Sequence, residues 1–592
     1  MNKEITIKVC TGTGGTAAGG NEVLSSFKKA LSSAGVKASF HENCSIHKVG
    51  CRGFCAKDVL VDIIIDGEKT TYQYIKPDMV TRIVSEHIIE GNPVTEWAVG
   101  EEYHNFHKKQ LRVVLSDCGE IDPEDIKSYL AVGGYEAAKK ALTSMISEEI
   151  LRVVKDSNLR GRGGAGFPTG LKWELALKAK SDVKYVICNG DEGDPGAFMD
   201  RAVMEGDPHS VIEGMIICAK AIGSHFGYIY VRAEYPLAVK HLQMAIDQCH
   251  EAGFLGKNIF TTGFDFDIKI FKGAGAFVCG EATALMRSIE GKRGMPSPKL
   301  WHSAIKGLWD KPTVLNNVET FANIPRIILK GADWYKNIGT EKSGGTKVFA
   351  LTGKVKNTGL IEVPLGISLR EIIYDIGGGI EGDRKFKAVQ TGGPSGGCIP
   401  AEFLDTEVDY EPLALAGSIM GSGGMIVLDE TDCMVNTAKF FLEFTQSESC
   451  GKCTPCRIGT KRLLEILDRI TSGKGKKGDL ELLQELSEDI KATSLCGLGM
   501  TAPNPVLSTI KYFRNEYEAH IIDKKCPAAV CKDLIKYFIL EEICKGCGAC
   551  KRVCPADAIR GIKKKPHRID PALCIKCGTC FYACKFKAVS KS

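Results

Sequence analysis

One cysteine spacing occurs twice near the end of this 592-residue chain, and it restricts what that segment can fold around. The runs "CKGCGACKRVC", from Cys544, and "CIKCGTCFYAC", from Cys574, both have the spacing C-x2-C-x2-C-x3-C. Crowded cysteines serve disulfides, zinc or iron–sulfur clusters. Zinc sites are usually built from two pairs of ligands, whereas each run offers three close thiols and a fourth further on. The spacing therefore favours iron–sulfur clusters, with a pair of zinc knuckles as the alternative.

The duplicated spacing resembles the bacterial two-cluster ferredoxin pattern, in which the fourth cysteine of each run binds the other cluster. The resemblance implies a ferredoxin domain over residues 541–592 with two [4Fe–4S] clusters. One cluster would be held by Cys544, Cys547, Cys550 and Cys584, and the other by Cys554, Cys574, Cys577 and Cys580. Lys585 departs from that pattern, which often has a second proline at this position.

Composition and patterning argue against membrane and nucleic-acid functions. The chain has 77 Lys and Arg against 72 Asp and Glu, so no charge excess favours nucleic acid. No apolar run approaches the roughly 20 residues that span a bilayer, and the start has no secretory signal. With 25 cysteines and no export signal, metal ligation in a reducing cytoplasm is favoured over disulfides. We therefore expect a cytoplasmic metalloprotein.

Changes in residue pattern along the chain predict a multidomain protein of the α/β and α+β classes. Short apolar strands alternate with helical stretches at first, glycine-rich loops then alternate with strands, and a helical stretch follows. We expect a small α/β domain over 1–90, a connector over 91–125, a ligand-binding domain over 126–340, a strand-rich domain over 341–430, a helical domain over 431–515 and a metal-binding hinge over 516–540.

Two glycine-rich loops within residues 126–340 are candidates for binding phosphate or a polar ring. The first, "LRGRGGAGFPTGLKW", has the spacing G-x-G-x-x-G from Gly161 to Gly166, with Arg162 and Lys172 as nearby cations. A helical pattern precedes it, which argues against a standard Rossmann start. The alternative for this loop is a structural turn with solvated cations. The second, "KGAGAFVCGEATALM", leads into a helix near Glu281, whose unpaired amides could bind an anion.

Five stretches together resemble the flavoprotein subunit of respiratory complex I: "GRGGAGFPTGLKW", "CNGDEGDPGAF", "GAGAFVCGE", "LNNVET" and "ESCGKCTPCR". The resemblance covers about residues 130–515. It implies a Rossmann-like FMN and NAD(P) domain, a ubiquitin-like β-grasp (SLBB) domain and a helical [4Fe–4S] domain. With a thioredoxin-like domain before them and the ferredoxin domain after them, the chain resembles the flavin subunit (beta subunit) of cytosolic electron-bifurcating [FeFe] hydrogenases. Related formate dehydrogenase complexes use similar subunits.

The resemblance also implies binding residues. FMN contacts would be made by Gly161, Arg162, Gly163, Lys172, Asn189, Asp191, Gly280, Glu281, Asn316 and Asn317. Nicotinamide nucleotide contacts would be made by Phe167, Glu192, Asp194, Phe277, Ala282, Lys299 and His302. We expect no separate catalytic residue, because FMN itself carries out the hydride transfer.

Ala282 departs from the family, which usually has "GEETAL" where this chain has "GEATAL". In the family, the second glutamate accepts a ribose hydroxyl of NAD, and a carboxylate there would repel a 2′-phosphate. The segment "SPKLWHSAIKG" brings His302 and Lys306 beside Lys299. We therefore predict that the site accepts NADP(H). The alternative is a neutral change in a site for NAD.

Two further cysteine groups resemble cluster sites of the family. The [4Fe–4S] ligands beside the flavin would be Cys450, Cys453, Cys456 and Cys496, with zinc as the alternative. In the N-terminal domain, Cys10, Cys51 and Cys55 match three of four [2Fe–2S] ligands, and Gly15 stands in place of the fourth. Either another residue such as Cys44 completes this site, or the domain has lost its cluster.

The hinge contains a candidate zinc site. His520, Cys526 and Cys531 have a spacing that permits zinc, although no fourth ligand is evident. The alternative is free thiols in a turn. The remaining scattered cysteines, Cys433 among them, are expected to be small buried apolar residues.

These features predict an FMN-dependent NAD(P)H oxidoreductase subunit of a soluble electron-bifurcating hydrogenase complex. Its cofactors would be FMN and three [4Fe–4S] clusters, with one [2Fe–2S] cluster and zinc at the candidate sites. Its partners would be an [FeFe] hydrogenase catalytic subunit, a small [2Fe–2S] thioredoxin-like subunit and a soluble ferredoxin. The alternatives are a diaphorase subunit of a formate dehydrogenase complex, a non-enzymatic iron–sulfur wiring scaffold and a zinc-rich regulatory protein.

Overall fold

The computed structural model describes residues 4–33 and 44–592 of a chain that divides into two compact units. The first unit comprises residues 1–384, 389–396 and 401–427, and the second comprises 385–388, 397–400 and 428–592. Among the described residues, no helix combines the length and the apolar character needed to cross a membrane.

A four-stranded sheet with helices on it begins the first unit. The strands are β1 (Ile5–Cys10), β2 (Cys44–Val49), β3 (Val61–Ile65) and β4 (Glu68–Tyr72), in the order β2-β1-β3-β4. β2 is parallel to β1, and β3 is antiparallel to both of its neighbours. Helix α1 (Thr13–Ala17) follows β1, and the amphipathic helix α2 (Gly20–Ser33) packs its apolar face into the same core. This arrangement places Cys10 at the end of a central strand.

The second sheet is mainly parallel. Its strands are β5 (Tyr185–Gly190), β6 (Phe226–Arg232), β7 (Gly256–Ile259), β8 (Phe264–Gly273) and β9 (Thr313–Asn317), in the order β7-β8-β6-β5-β9. β5, β6, β8 and β9 are parallel, and β7 pairs antiparallel with β8. The chain moves from β5 to β6 and β8 on one side and returns with β9 on the other. Such a reversal leaves a crevice at the carboxyl ends of the strands, where open α/β sheets bind ligands.

Helices precede, connect and follow these strands. They are α3 (Val80–Arg82), α4 (Glu101–Lys108), α5 (Ile126–Ala131), α6 (Glu136–Ser144), α7 (Ser147–Asp156), α8 (Thr169–Lys178), α9 (Met199–Gly206), α10 (Pro208–Ile222), α11 (Pro236–Glu251), α12 (Ala282–Ile289), α13 (Val318–Lys330) and α14 (Ala332–Lys336). α10 is apolar nearly all round and is almost entirely buried in the core of this region. α7, and not a strand, precedes the first glycine loop, as the sequence pattern predicts.

The third sheet begins after α14. β10 (Thr346–Gly353) pairs antiparallel with β11 (Gly359–Pro364) and parallel with the start of β14 (Gly424–Asp429). Strands β12 (Phe386–Thr391) and β13 (Gly397–Pro400) and helix α15 (Tyr410–Leu415) lie between β11 and β14 in the sequence. The division between the two units passes through this stretch.

The second unit contains a helical bundle followed by a small domain with two short sheets. The bundle consists of α16 (Met434–Ser447), α17 (Thr460–Thr471), α18 (Asp479–Thr493), α19 (Gly497–Thr501) and α20 (Asn504–Glu518). In the small domain, β15 (Tyr537–Ile539) pairs antiparallel with β18 (Val589–Lys591), and β16 (Ile559–Arg560) pairs antiparallel with β17 (Arg568–Ile569). Helices α21 (Ala549–Arg552) and α22 (Thr579–Ala583) each follow one cysteine loop. The duplicated cysteine run is therefore a duplicated structural unit as well.

Candidate functional site

The candidate site lies at the carboxyl edge of the second sheet, between β5 and β9, where the strand order reverses. Asn189 near the end of β5 is paired in register with Asn317 at the end of β9. The Asn189 amide donates to the carbonyl oxygen of Gly280 at 3.0 Å, which attaches the second glycine loop to this edge. A Cβ atom added to Gly163 would lie 3.1 Å from Cβ of Asn317, so the first glycine loop also reaches it. The fold thus brings together both loops predicted to bind a ligand.

Hydrogen bonds close the first glycine loop on itself. The N–H of Gly161 donates to the carbonyl oxygen of Phe167 at 2.9 Å, and Arg160 Nε donates to that of Gly166 at 2.7 Å. Gly166 has a φ of +62°, and a Cβ atom there would lie 2.6 Å from the ring of Tyr410. Both the left-handed backbone and this contact require glycine. The loop is therefore preformed.

The Arg162 side chain is turned into the core. Its guanidinium donates to the carbonyl oxygens of Arg160, Gly344 and Thr346 and to the hydroxyl of Tyr335. The residue is fully buried, and its own N–H donates to Thr320. Sequence reasoning treated this cation as a neighbour of bound phosphate. The structure corrects that role, because the guanidinium anchors the loop and is directed away from its ligand-facing side.

Lys172 and Asn316 form a polar pair beside the loop. Lys172 Nζ donates to the carbonyl oxygen of Leu315 at 2.7 Å and to Asn316 Oδ1 at 3.0 Å. Burial lowers the pKa of Lys172 to about 8. The Asn316 Nδ2 atom is buried and has no hydrogen-bond partner among the described residues. A buried donor left unpaired costs about 1–3 kcal/mol, so this pair suits a ligand that carries hydrogen-bond acceptors, such as a flavin.

Glu281 caps helix α12. Its carboxylate accepts hydrogen bonds from the N–H groups of Thr283 at 2.9 Å and Ala284 at 3.0 Å, and it pairs with Lys299 at 3.2 Å. Sequence reasoning expected these amides to be free for an anionic ligand. That expectation is wrong for Thr283 and Ala284, because the glutamate already satisfies them. Glu281 itself is held rigidly at the edge of the site.

The acidic residues after β5 mostly serve as acceptors for the protein itself. Glu192 accepts a hydrogen bond from the N–H of Asp200 at 3.0 Å, at the start of α9. Asp194 accepts one from the Ser422 hydroxyl at 2.7 Å, and burial raises the pKa of Asp194 to about 6. Asp191 is buried beside them. These carboxylates shape the crevice and are candidates for contacts with ribose or amide groups.

The residues predicted to contact a nicotinamide nucleotide lie on the outer side of the site. The Phe167 and His302 rings are 5.1 Å apart between centroids, and the Lys299 side chain is 69% exposed. Lys306, which was expected to join them, pairs with Asp310 at 3.4 Å. The structure therefore brings His302 to the first glycine loop and leaves Lys299 at the surface, whereas Lys306 has an acid of its own.

Phe277 and Ala282 lie on either side of the capping glutamate. Phe277 opens the turn Phe277–Gly280, and Ala282 is the first residue of α12. A Cβ atom added to Gly193 would lie 2.7 Å from the Phe277 ring, so this ring faces the loop after β5. Because residue 282 is alanine, Glu281 is the only carboxylate in the "GEATAL" segment at the start of this helix.

The four cysteines of the helical bundle approach one another at its entrance. Cys450, Cys453 and Cys456 lie between α16 and α17, and Cys496 immediately precedes α19. Burial raises the pKa of Cys456 to about 11, the Ser449 hydroxyl lowers it, and the charges of the other three thiols raise it. Three ligands from one turn and a fourth from a later helix start are thus close enough to share one cluster.

The ferredoxin cysteines fall into two sets that exchange their fourth members. One small cavity is lined by Cys544, Cys547, Cys550 and Cys584. A second is lined by Cys554, Cys574, Cys577 and Cys580. These are the crossed groups that the duplicated spacing implies.

The hinge cysteines and histidine gain a fourth neighbour. The sulfur of Cys433 lies 3.4 Å from His520 Nε2 and 3.7 Å from the sulfur of Cys531. With Cys526, these four buried ligand atoms all lie within 4.8 Å of one another. The Nδ1 atom of His520 contacts the carbonyl oxygen of Glu516 at 2.7 Å, an arrangement that orients a metal-binding imidazole. The prediction that Cys433 is merely an apolar core residue is therefore wrong.

The N-terminal cysteines are only partly assembled. The sulfur atoms of Cys51 and Cys55 are 3.5 Å apart, and Cys10 is buried at the end of β1. Cys44 pairs in register with Ile5 at the opposite end of β1, five residues from Cys10 and therefore roughly 16 Å away. Cys44 cannot supply the missing fourth ligand.

Together, the crevice and the cysteine groups define a class of protein. A ligand crevice at a strand-order reversal, glycine loops with an orphaned amide donor, and cubane-type cysteine sets are the features of an iron–sulfur flavoprotein that transfers electrons. A family model described as the Nuo51 FMN-binding domain matches residues 154–326. Others match the SLBB domain at 348–399, the NADH-ubiquinone oxidoreductase-F iron–sulfur binding region at 436–520 and a 4Fe-4S dicluster domain at 536–585.

Relatives cover most of the chain. NADP-reducing hydrogenase subunit HndC of Solidesulfovibrio fructosivorans is 63% identical over 82% of this chain and 98% of its own length. The second NuoF-type NADH-quinone oxidoreductase protein of Rhizobium meliloti is 46% identical over 70% of this chain and 99% of its own length. A crystal structure of an NAD+-reducing [NiFe]-hydrogenase superposes with a TM-score of 0.62 and 29% identity, covering 87% of this chain and 84% of that one.

The chain belongs to the family that contains HndC and the NuoF-type proteins of NADH-quinone oxidoreductase. It is an NAD(P)-dependent oxidoreductase subunit with an FMN-binding domain and [4Fe–4S]-binding domains.

Proposed function

We propose that the chain is the FMN-dependent NAD(P)H oxidoreductase subunit of a soluble electron-bifurcating hydrogenase complex. The observation that carries the proposal is the meeting of both glycine loops at the β5–β9 crevice, beside the unpaired Asn316 amide. Bound FMN would take a hydride from the nicotinamide and release its two electrons singly. The protein's own residues would bind and orient the two ring systems.

The residues of the crevice divide that work. Lys172 and Asn316 present a cation and a free amide donor to the FMN acceptor atoms. Asn189 and Glu281 hold the second glycine loop against the first. The Phe167 ring, stacked near His302, would cover the nicotinamide and keep water from the reacting atoms.

We infer that NADP(H) is the preferred nucleotide. Ala282 leaves the helix start without a second carboxylate, and Lys299 and His302 offer positive groups for a 2′-phosphate. A relative with 63% identity bears the name NADP-reducing hydrogenase subunit. Comparison of kcat/KM for NADPH and NADH tests this proposal, and a tenfold preference for NADH would contradict it.

Separate iron–sulfur exits support bifurcation. One exit would pass through the cluster held by Cys450, Cys453, Cys456 and Cys496, and a second through the ferredoxin domain. Residues 541–592 contain twelve Lys and Arg against four Asp and Glu, so this domain would attract an acidic carrier such as a soluble ferredoxin. The name of the 63% identical relative supports a hydrogenase subunit as the other partner, and we expect a small [2Fe–2S] protein in the complex.

We also propose that zinc occupies the site of Cys433, His520, Cys526 and Cys531. Three thiols and one imidazole converging within one buried site match a structural zinc site. Such a site would hold together the segment that leads from the helical bundle into the ferredoxin domain.

Anaerobic purification of the complex tests the whole assignment. The expected result is one FMN, about twelve iron atoms from three [4Fe–4S] clusters, and zinc in each chain, with a hydrogenase subunit co-purifying. A formate dehydrogenase subunit in its place would establish the diaphorase alternative. A protein without flavin would establish the wiring-scaffold alternative.

A further inference from the structure

The three N-terminal cysteines already have part of the geometry of a binuclear cluster. The sulfur atoms of Cys51 and Cys55 are 3.5 Å apart, close to the separation of two thiolates on one tetrahedral metal ion. The loop after β1 lies over them, because a Cβ atom added to Gly12 would be 3.4 Å from Cβ of Cys51. Cys10 approaches the same loop from the end of β1. A second metal ion beside Cys10 would need one more ligand.

Residue 15 cannot supply that ligand with the backbone as it stands. A Cβ atom added to Gly15 would lie 2.4 Å from the carbonyl oxygen of Cys10 and 2.9 Å from its sulfur. The first contact is with the main chain, which cannot give way as a flexible side chain would. The fold is therefore committed to glycine here, and the remaining ligand must come from another part of the chain.

Asp58 lies at the vacant position. Its Oδ2 atom is buried and has no hydrogen-bond partner among the described residues. A Cβ atom added to Gly14 would be 3.1 Å from this oxygen, so the carboxylate and the Cys10 thiol flank the same turn. Burial raises the pKa of Cys10, and the charge of Asp58 raises it further, as expected for adjacent groups. A buried carboxylate oxygen without a partner is costly unless it binds a cation.

We propose that Asp58 is the fourth ligand of a [2Fe–2S] cluster whose other ligands are Cys10, Cys51 and Cys55. Cys51 and Cys55 bind one iron, and Cys10 and Asp58 bind the other. The carboxylate carries the same charge as the thiolate that it replaces, but it is a harder donor. This inference rests on the proposed function only in taking the N-terminal domain as a cluster carrier.

The test uses the full-length chain, purified anaerobically and reduced with dithionite. Electron paramagnetic resonance is recorded at a temperature at which [4Fe–4S] signals have broadened and a [2Fe–2S] signal remains. The wild type should show such a signal. Asp58→Ala should lose it together with about two iron atoms per chain, whereas Asp58→Cys should keep the iron and shift the g values. Asp78→Ala, which removes an exposed carboxylate of the same domain, should match the wild type.

Two results would overturn the proposal: a wild type without a [2Fe–2S] signal, or an Asp58→Cys spectrum identical to that of the wild type. If Asp58→Ala does not fold, the comparison of Asp58→Cys with the wild type still decides. FMN content and the low-temperature [4Fe–4S] signals are measured on the same samples. Their loss in the wild type would refute the proposed function, whereas their retention without a [2Fe–2S] signal would refute the Asp58 assignment alone.

Discussion

Replacing Lys172 by methionine separates a ligand-binding role from a structural one. The substitution keeps most of the aliphatic stem and removes the ammonium group. Two hydrogen bonds from a charged donor, to Leu315 and Asn316, would be lost, and each is worth about 1.5–3 kcal/mol. Against this, the pKa of Lys172 is lowered by burial from 10.5 to about 8, which corresponds to about 3 kcal/mol of penalty on the charged form.

The two effects nearly cancel. We expect Lys172→Met to lower the free energy of unfolding by only about 0–3 kcal/mol, measured by chemical denaturation of the flavin-free protein. FMN affinity should fall about 10- to 150-fold, because one charge-assisted hydrogen bond to the ligand is lost. Flavin fluorescence titration measures that change. Lys178→Met is the matched control, since Lys178 lies on the same helix and makes only a surface ion pair with Glu174.

The same lysine gives a pH signature. Between about pH 8 and pH 10.5 the unfolded chain retains the Lys172 proton and the folded chain does not, so this residue's contribution to stability rises with pH. Lys172→Met should lack that rise. A variant that loses more than about 4 kcal/mol of stability while binding FMN as the wild type does would refute the ligand-binding role.

Three further predictions concern separate parts of the molecule. Ala282→Glu should weaken NADPH use relative to NADH by about 5- to 150-fold in kcat/KM, since a carboxylate near a 2′-phosphate costs about 1–3 kcal/mol; an unchanged ratio would contradict the NADP(H) assignment. Cys433→Ala should reduce zinc, measured by mass spectrometry, from about one atom per chain to nearly none; full zinc content would exclude Cys433 as a ligand. Lys347→Met should cost about 3–5 kcal/mol in chemical denaturation, because it leaves the Glu319 carboxylate buried without its cation. Lys356→Met, which breaks an exposed pair, should cost no more than about 1 kcal/mol.

Sequence spacing was most informative where ligands are close together in the chain. The ferredoxin cysteines come from two tight loops, so the crossed sets follow from their spacing alone. Cys433 lies 87 residues from His520 in sequence, and only the folding of α16 against α20 brings them together. No local signal distinguishes such a cysteine from a buried apolar one, although its place immediately before a helix is a position from which a ligand can be held rigidly.

Motifs also failed to give side-chain direction. The spacing from Gly161 to Gly166 correctly indicated a preformed loop, but it could not show that Arg162 turns inward to four oxygen acceptors. Likewise, "GEATAL" indicated a helix start, but not that Glu281 would satisfy its amides. Both outcomes depend on tertiary partners that lie far away in the sequence or on a choice of rotamer.

The most direct measurement is anaerobic reduction of the purified chain by NADPH, followed by absorbance spectroscopy. Electron transfer from the nucleotide through FMN into the iron–sulfur clusters predicts that NADPH or NADH bleaches the flavin band and the broad iron–sulfur absorbance together. A colourless protein that contains only zinc, or clusters that dithionite reduces and neither nucleotide can, would contradict it.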